Sequence, residues 1–410
     1  MKTCYNAVLL LCAVTGLGQP YVEGGRTRHR FAQLNLGADV RLFGHGNLNA
    51  ASLHLQNITQ AQWPPSHTES RLIIGGTHFW GHADFQVAFT LVKNKKSGIS
   101  NGAETALRFF PWQISDHKLR PYFSLSWLPQ TSKVGEGANK LRHLFPTGVG
   151  MIYNRKNNLF EAGLTYNYQS RNSYYVSKTQ QSTLILPQVW LHIGYKFMLE
   201  TTLSAESSWK SGRTARLTDT LASLRRLNGF TFAAGMSSAV FLSSPAYNSK
   251  LRPYLGGHGM SVFPELGAGY YFHNADLQLN LAYRNINSSI AAYGDEQIIG
   301  RRAMSFEAFK FLCDYHGFAA FAGAAAGVDW LKVTEKSDNG EVVTTNRKAI
   351  QPGLVFGWDI RPDRLQTWYL RTNLRWYPFT GIYMQNGDWY SFAQLEFNFI
   401  QLVVFPGRLF

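Results

Sequence analysis

FAQLNLGADVRLF, residues 31–43, alternates by chemistry. Ala32, Leu34, Leu36, Ala38, Val40 and Leu42 share one face of an extended chain, and Gln33, Asn35, Asp39 and Arg41 share the other, because successive side chains of a strand point to opposite sides. Two environments satisfy such a strand: a soluble sandwich with its apolar face inward, or a barrel in a bilayer with its apolar face outward. The rhythm recurs in DLQLNLAYRN (276–285), in IQPGLVFGWDI (350–360) and in QTWYLRTNLRWYP (366–378), where Trp368, Leu370, Leu374 and Trp376 oppose Arg371, Asn373 and Arg375.

Further segments of this kind are ADFQVAFTLV (83–92), LRPYFSLSWL (119–128), NLFEAGLTYNY (158–168) and QVWLHIGYKFML (188–199). With the weaker stretches between them they make roughly 14–16 spanning strands of about nine to eleven residues, joined by alternating short turns and longer loops. The last segment, SFAQLEFNFIQLVVFPGRLF, changes register midway, and a β-bulge near Phe399 and Ile400 reconciles its halves. The aromatic pairs Phe79 with Trp80, Trp376 with Tyr377 and Trp389 with Tyr390 suit the two interfaces of a bilayer.

Composition narrows the alternatives. Of 410 residues, 45% are apolar, 16% charged and 14% aromatic, which is neither a disordered nor a collagenous chain. After the first segment no apolar run approaches the roughly eighteen residues of a spanning helix. That first segment, MKTCYNAVLLLCAVTGLGQP, has a basic start, an apolar middle and small residues at Gly16 and Gly18, the pattern of an export signal. The expected organisation is a cleavable signal over 1–18 and a single barrel over 19–410. A lipid attached at Cys12 is the lesser alternative. Cys4 and Cys12 leave with the signal, so Cys313 has no partner for an internal disulfide. The net charge of +15 is scattered through the chain and favours anionic partners, while the export signal and the absence of a recognition motif argue against nucleic acid.

Taken together, the export segment, the alternating strands over residues 31–405, the text FGWDIRPDRLQTWYLRTNLRWYP and the terminal Phe410 resemble the outer-membrane β-barrel proteins of Gram-negative bacteria, particularly those of the Bacteroidetes. The resemblance implies an all-β fold: a closed antiparallel transmembrane β-barrel in the cell outer membrane, inserted by outer-membrane assembly machinery and surrounded by outer-membrane lipid.

With the apolar faces on lipid, Arg41, Arg120, Lys196, Arg284, Arg371 and Arg375 point to the lumen, accompanied by Asp39, Glu161, Asp276, Asp359 and Glu396. Arg371, Asn373 and Arg375 share one face of one strand and are the leading candidates for an anion-binding or selectivity site; Arg41, Arg120, Lys196 and Arg284 are secondary. Two readings stay open. The same bases either line a pore for small polar or anionic solutes or pair permanently with the acids. The alternative function is a non-enzymatic structural or accessory barrel in a surface or secretion complex, whose loops, such as KNKKSG, VGEGANKLR and VTEKSDNGEVVTTNRK, meet protein partners. Catalytic and cofactor motifs are thin. Ser52 and His54 have no nearby acid to complete a nucleophilic site, and Cys313, Asp314 and His316 in CDYHGF do not make a zinc set, so neither enzyme activity, cofactor nor metal is expected.

Overall fold

Along β1 (Ala32–Phe43) the buried face is the polar one. Asp39 and Arg41 are 3% and 2% exposed, whereas Val40 and Leu42 are 45% and 40% exposed. A soluble sandwich would show the reverse, so this strand belongs to a barrel with apolar walls outside. Gln278, Asn280 and Arg284 are likewise buried while Leu281 and Tyr283 are exposed, and Gln351 and Asp359 are buried while Ile350, Leu354 and Phe356 are exposed. The computed structural model describes residues 32–408 except 44–46, 49–66, 92–98, 133–139, 201–212, 225, 243–244, 316, 362–366 and 393. The expected signal over 1–18, and Ser52 and His54, lie outside the described residues.

Seven strands join β1 in the first ring: β2 (His67–His78), β3 (Ala83–Thr90), β4 (Glu104–Phe109), β5 (Leu119–Ser132), β6 (Thr147–Arg155), β7 (Asn158–Tyr166) and β8 (Val189–Glu200). Each pairs antiparallel with its sequence neighbour through β7. β8 then joins β7 to β1, with Gln33 opposite Glu200 and Phe43 opposite Trp190, and closes the ring. A helix at Arg213–Ser223 intervenes before the second set. That set is β9 (Gly229–Phe241), β10 (Ser261–Phe272), β11 (Leu277–Ala292), β12 (Asp295–Tyr315), β13 (Phe318–Lys336), β14 (Val342–Ile360), β15 (Trp368–Tyr377) and β16 (Gln394–Val404). It forms a second closed antiparallel ring in which β16 meets β9.

The all-β, closed antiparallel barrel is therefore as expected, and the sixteen ring strands match the expected 14–16, but they do not close as the single ring expected over 19–410. The strands close as two rings of eight. Closure is required in either case, because hydrocarbon cannot solvate a free sheet edge. Eight strands enclose an interior just wide enough for side chains to fill, whereas sixteen would leave a channel.

An even strand number brings the chain into and out of each ring at the same end. The first ring leaves, and the second begins, at the end carrying the short turns such as Phe79–Gly81, Lys156 with Asn157, and His273–Ala275. Both rings therefore point their longer connections the same way. In the second ring β12, β13 and β14 are 21, 19 and 19 residues long, far more than about eleven needed to cross the membrane, so they rise well above the bilayer on the loop side. Part of this rise is VTEKSDNGEVVTTNRK, read above as a loop. Its ends continue β13 and β14, and only 337–341 turn.

The two rings stand side by side. Their outer walls meet at edge-on ring contacts, Phe85 with Phe397 (5.9 Å between centroids), Phe85 with Trp358 (5.6 Å) and Phe89 with Phe399 (5.4 Å). Trp80 meets Tyr315 at the turn end (5.9 Å). On the loop side Lys178 binds Asp338 (2.7 Å) and Asp295 (3.2 Å), Tyr293 donates to the Tyr175 carbonyl (2.8 Å), and the His143 ring lies 2.8 Å from the Phe241 carbonyl oxygen.

The bulge expected in the last strand is present: Met236 faces Ile400 while Ser237 faces Asn398, leaving Phe399 as the extra residue. It lets Gln394, Glu396 and Asn398 point inward below it and Gln401 and Val403 point inward beyond it, all of them buried. The aromatic pairs are a partial correction. Phe79 and Trp80 are both exposed, but Tyr377 and Tyr390 turn inward and are buried, so only Trp376 and Trp389 face out.

Candidate functional site: the two barrel interiors

Inward positions of the first ring hold a ladder of ion pairs. Arg71 on β2 reaches Asp39 on β1 (Nε to Oδ1, 2.8 Å) and Glu104 on β4, which also binds Arg41. Nearer the turns, Arg108 on β4 binds Glu161 (2.6 Å) and Asp84, and Lys196 on β8 binds Glu161 (2.8 Å), Asp84 (3.5 Å) and Gln86 (2.8 Å). Tyr122 and His192 share a hydrogen bond of 2.7 Å beside this cluster.

The second ring repeats the arrangement with different residues. Arg375 on β15 makes two hydrogen bonds to Glu265 on β10 (2.7 and 2.9 Å) and reaches Glu307 on β12 (2.6 Å). Glu396 on β16 holds Arg284 and Arg301, each at 2.5 Å, and Arg301 also meets Asp329 at 2.8 Å. Arg284 donates to the Tyr377 hydroxyl (2.9 Å). Arg371 makes paired bonds to Asp359 (2.7 and 2.8 Å) and reaches Gln278 and the Tyr369 hydroxyl, each at 3.0 Å.

Apolar layers lie above and below each ladder. On the loop side of the second ring Phe241, Ile299, Leu331, Val333, Ile382, Met384, Tyr390 and Phe392 pack into one buried cluster; at the turn side Tyr271, Phe309, Phe311, Phe321, Tyr369 and Phe405 pack into another. The first ring has Phe43, Leu128, Leu144, Leu186 and Trp190 on the loop side, and Phe110, Ile114, Tyr122, Ile152, Leu159 and Met198 at the turns. Charges enclosed this way are desolvated on all sides, and only their mutual pairing makes the burial tolerable.

The structure places the sequence candidates in two separate compartments. Arg41, Arg120 and Lys196 belong to the first ring, and Arg284, Arg371, Asn373 and Arg375 to the second. Arg120 is set apart at the turn end, where its Nε donates to the Gln113 carbonyl (3.0 Å). Arg371 and Arg375 are buried on one face of β15 as expected, yet they serve different carboxylates. Asn373 between them is buried opposite Asn398, beside the bulge, and among the described residues its side-chain oxygen accepts no hydrogen bond.

Among the acids, Asp39, Glu161, Asp359 and Glu396 take part in the ladders. Asp276 does not. It sits in the β10–β11 turn with φ of 48° and accepts from the Tyr271 hydroxyl (2.8 Å). Sequence reading passed over Arg71, Arg108, Arg301, Glu104, Glu265 and Glu307, although each obeys the same alternation as its neighbours. Cys313 is exposed and Asp314 binds Arg361 (2.8 Å). Among the described residues no group of three His, Cys, Asp or Glu side chains is placed to hold a metal ion.

No protein-family model matches the sequence, and no curated protein is significantly similar to it. Solved structures with a faint likeness include neisserial surface protein A (13% identity, TM-score 0.29) and the attachment invasion locus protein Ail of Yersinia pestis in complex with sucrose octasulfate, a heparin analogue (8%, 0.27). Each match covers 43% of this chain and 96% of the other. The COG4313 outer membrane channel from Pseudomonas putida F1 covers 93% of this chain and 99% of its own at 10% identity and a TM-score of 0.22. Likenesses this faint leave the assignment to the chain's own strand pairing and burial. Closed rings, apolar outside and charged inside, cross the outer membrane as β-barrels.

Proposed function

We propose that this chain is a non-conducting pair of outer-membrane barrels that carries its long connections on the cell surface as an accessory or structural part of a larger assembly. The observation that supports this reading is the state of the inward bases. Arg371 and Arg375 are each held by carboxylates of the same ring, between apolar layers. A guanidinium already bound at two nitrogens by a buried carboxylate has little left to offer a passing anion.

The competing reading, passive passage of small polar or anionic solutes, draws on the same basic positions. It requires the pairs to open and the apolar ends to part. Conductance separates the two. Protein reconstituted in a planar bilayer is expected to give no discrete current steps in either salt gradient direction. Steps whose anion selectivity falls in Arg371→Gln and Arg375→Gln would return the pore.

A further inference from the structure

We infer that the outer wall of β11–β14, just beyond the apolar belt on the loop side, binds the phosphate groups of an outer-leaflet lipid. Strand register sets Asn285, Arg302, Trp330 and Lys348 in one cross-strand row. Lys332 lies in the next row, between Gly300 and Asn346. Inward neighbours such as Arg301 and Leu331 are buried, whereas Arg302, Lys332 and Lys348 are exposed on the lipid-facing side. Lys348 Nζ stands 5.4 Å from the centre of the Trp330 ring.

Directly beneath is the row of Met304, Val328 and Ile350, of which Ile350 is 76% exposed, the mark of a side chain meeting acyl chains. With strands about 4.8 Å apart and alternate residues about 7 Å apart, the three cations fall within reach of one phosphorylated headgroup.

Charge separates this wall from the rest of the molecule. Every basic residue of the interior ladders has a carboxylate, but among the described residues no ion pair involves Arg302, Lys332 or Lys348. The nearest outward acid on these strands, Glu296, is two rows beyond Lys332 and already bound to Lys336 at 2.7 Å. Asp329 and Glu335 are buried inward. Three unneutralised cations, neutral asparagines and a tryptophan, resting on an apolar shelf, match a ligand that is anionic at one end and greasy at the other. Free phosphate would use only half of this surface.

Native mass spectrometry of the detergent-solubilised full chain tests the site, with a diphosphorylated lipid A as probe and its dephosphorylated form as comparison. The expected result is retention of the phosphorylated lipid that falls by about tenfold or more in the Arg302→Gln, Lys332→Gln, Lys348→Gln triple variant. Lys310→Gln, on the same wall at the turn end, should leave retention unchanged, and inorganic phosphate at equal concentration should not compete. Equal retention by the triple variant, equal binding of the dephosphorylated lipid, or displacement by inorganic phosphate would each overturn the proposal. Heat-dependent gel migration verifies that the triple variant is folded; should it fail to fold, the single variants Arg302→Gln and Lys348→Gln take its place and must each weaken retention by about threefold for the site to stand.

Discussion

Arg375 on the fifteenth strand clasps Glu265 on the tenth across the interior of the second barrel, through two parallel hydrogen bonds of 2.7 and 2.9 Å. The two residues lie 110 positions apart, and the contact exists only because the ring closes. Arg375→Gln would remove the ion pair that Glu265 and Glu307 each make in the buried interior. The expected cost is about 3–5 kcal/mol, read as a lowered midpoint in urea unfolding of the lipid-reconstituted protein. An unchanged midpoint would mean that water reaches the carboxylates.

Contact between the two outer walls gives a second expectation. With Cys4, Cys12 and Cys313 replaced by serine, cysteines at Phe89 and Phe399 should be joined by a short bifunctional maleimide within one chain, since those rings lie 5.4 Å apart. Ile350, on a lipid-facing wall, should give no such product with position 89. Peptide mass spectrometry reads the linkage, and its absence would separate the rings.

Acid should loosen the loop-side cap of the second barrel. His258 is buried against the Phe241 and Tyr390 rings, 3.1 Å from Ser288 Oγ and 3.3 Å from Gln297 Oε1. Burial pushes its pKa down to about 4. The unfolded chain therefore takes up the proton first: stability is full above about 6.5 and is lost as the pH falls from there toward 4. Protection of residues 252–260, taken as the exchange rate relative to the intrinsic rate at each pH, should fall over that window, and His258→Gln should flatten the dependence. Protection that does not change between pH 7 and 4 would refute the buried neutral ring.

The two-residue turn at Tyr293 and Gly294 has positive φ at both positions, 50° and 85°, the geometry of a tight hairpin with glycine second. A Cβ at Gly294 would come within 2.8 Å of Asp338 Cβ. Gly294→Ala should cost about 1–2 kcal/mol of left-handed strain besides that collision, seen as a lowered unfolding temperature with both rings still formed. A variant as stable as the parent would place the turn in another conformation.

Much of this molecule is legible along the chain. The period of two assigned Asp39, Arg41, Lys196, Arg284, Arg371 and Arg375 to the polar face, and the register change at Phe399 announced its bulge. Arg120 obeyed the rhythm but lies beyond the ladder, because alternation says which way a side chain points and nothing about how deep it sits. Tyr377 and Tyr390 illustrate the opposite error: adjacency in sequence suggested shared membrane belts, but neighbours on a strand must face opposite ways.

Side-chain direction is a local property of an extended backbone, so a reader of residues alone can sort lipid-facing from inward positions. Ring size is not local. Whether the eighth strand returns to the first, Glu200 opposite Gln33, or passes on to the ninth changes no residue's alternation; only the closed pairing decided between two rings of eight and one of sixteen, and with it which carboxylates stand beside Arg371 and Arg375.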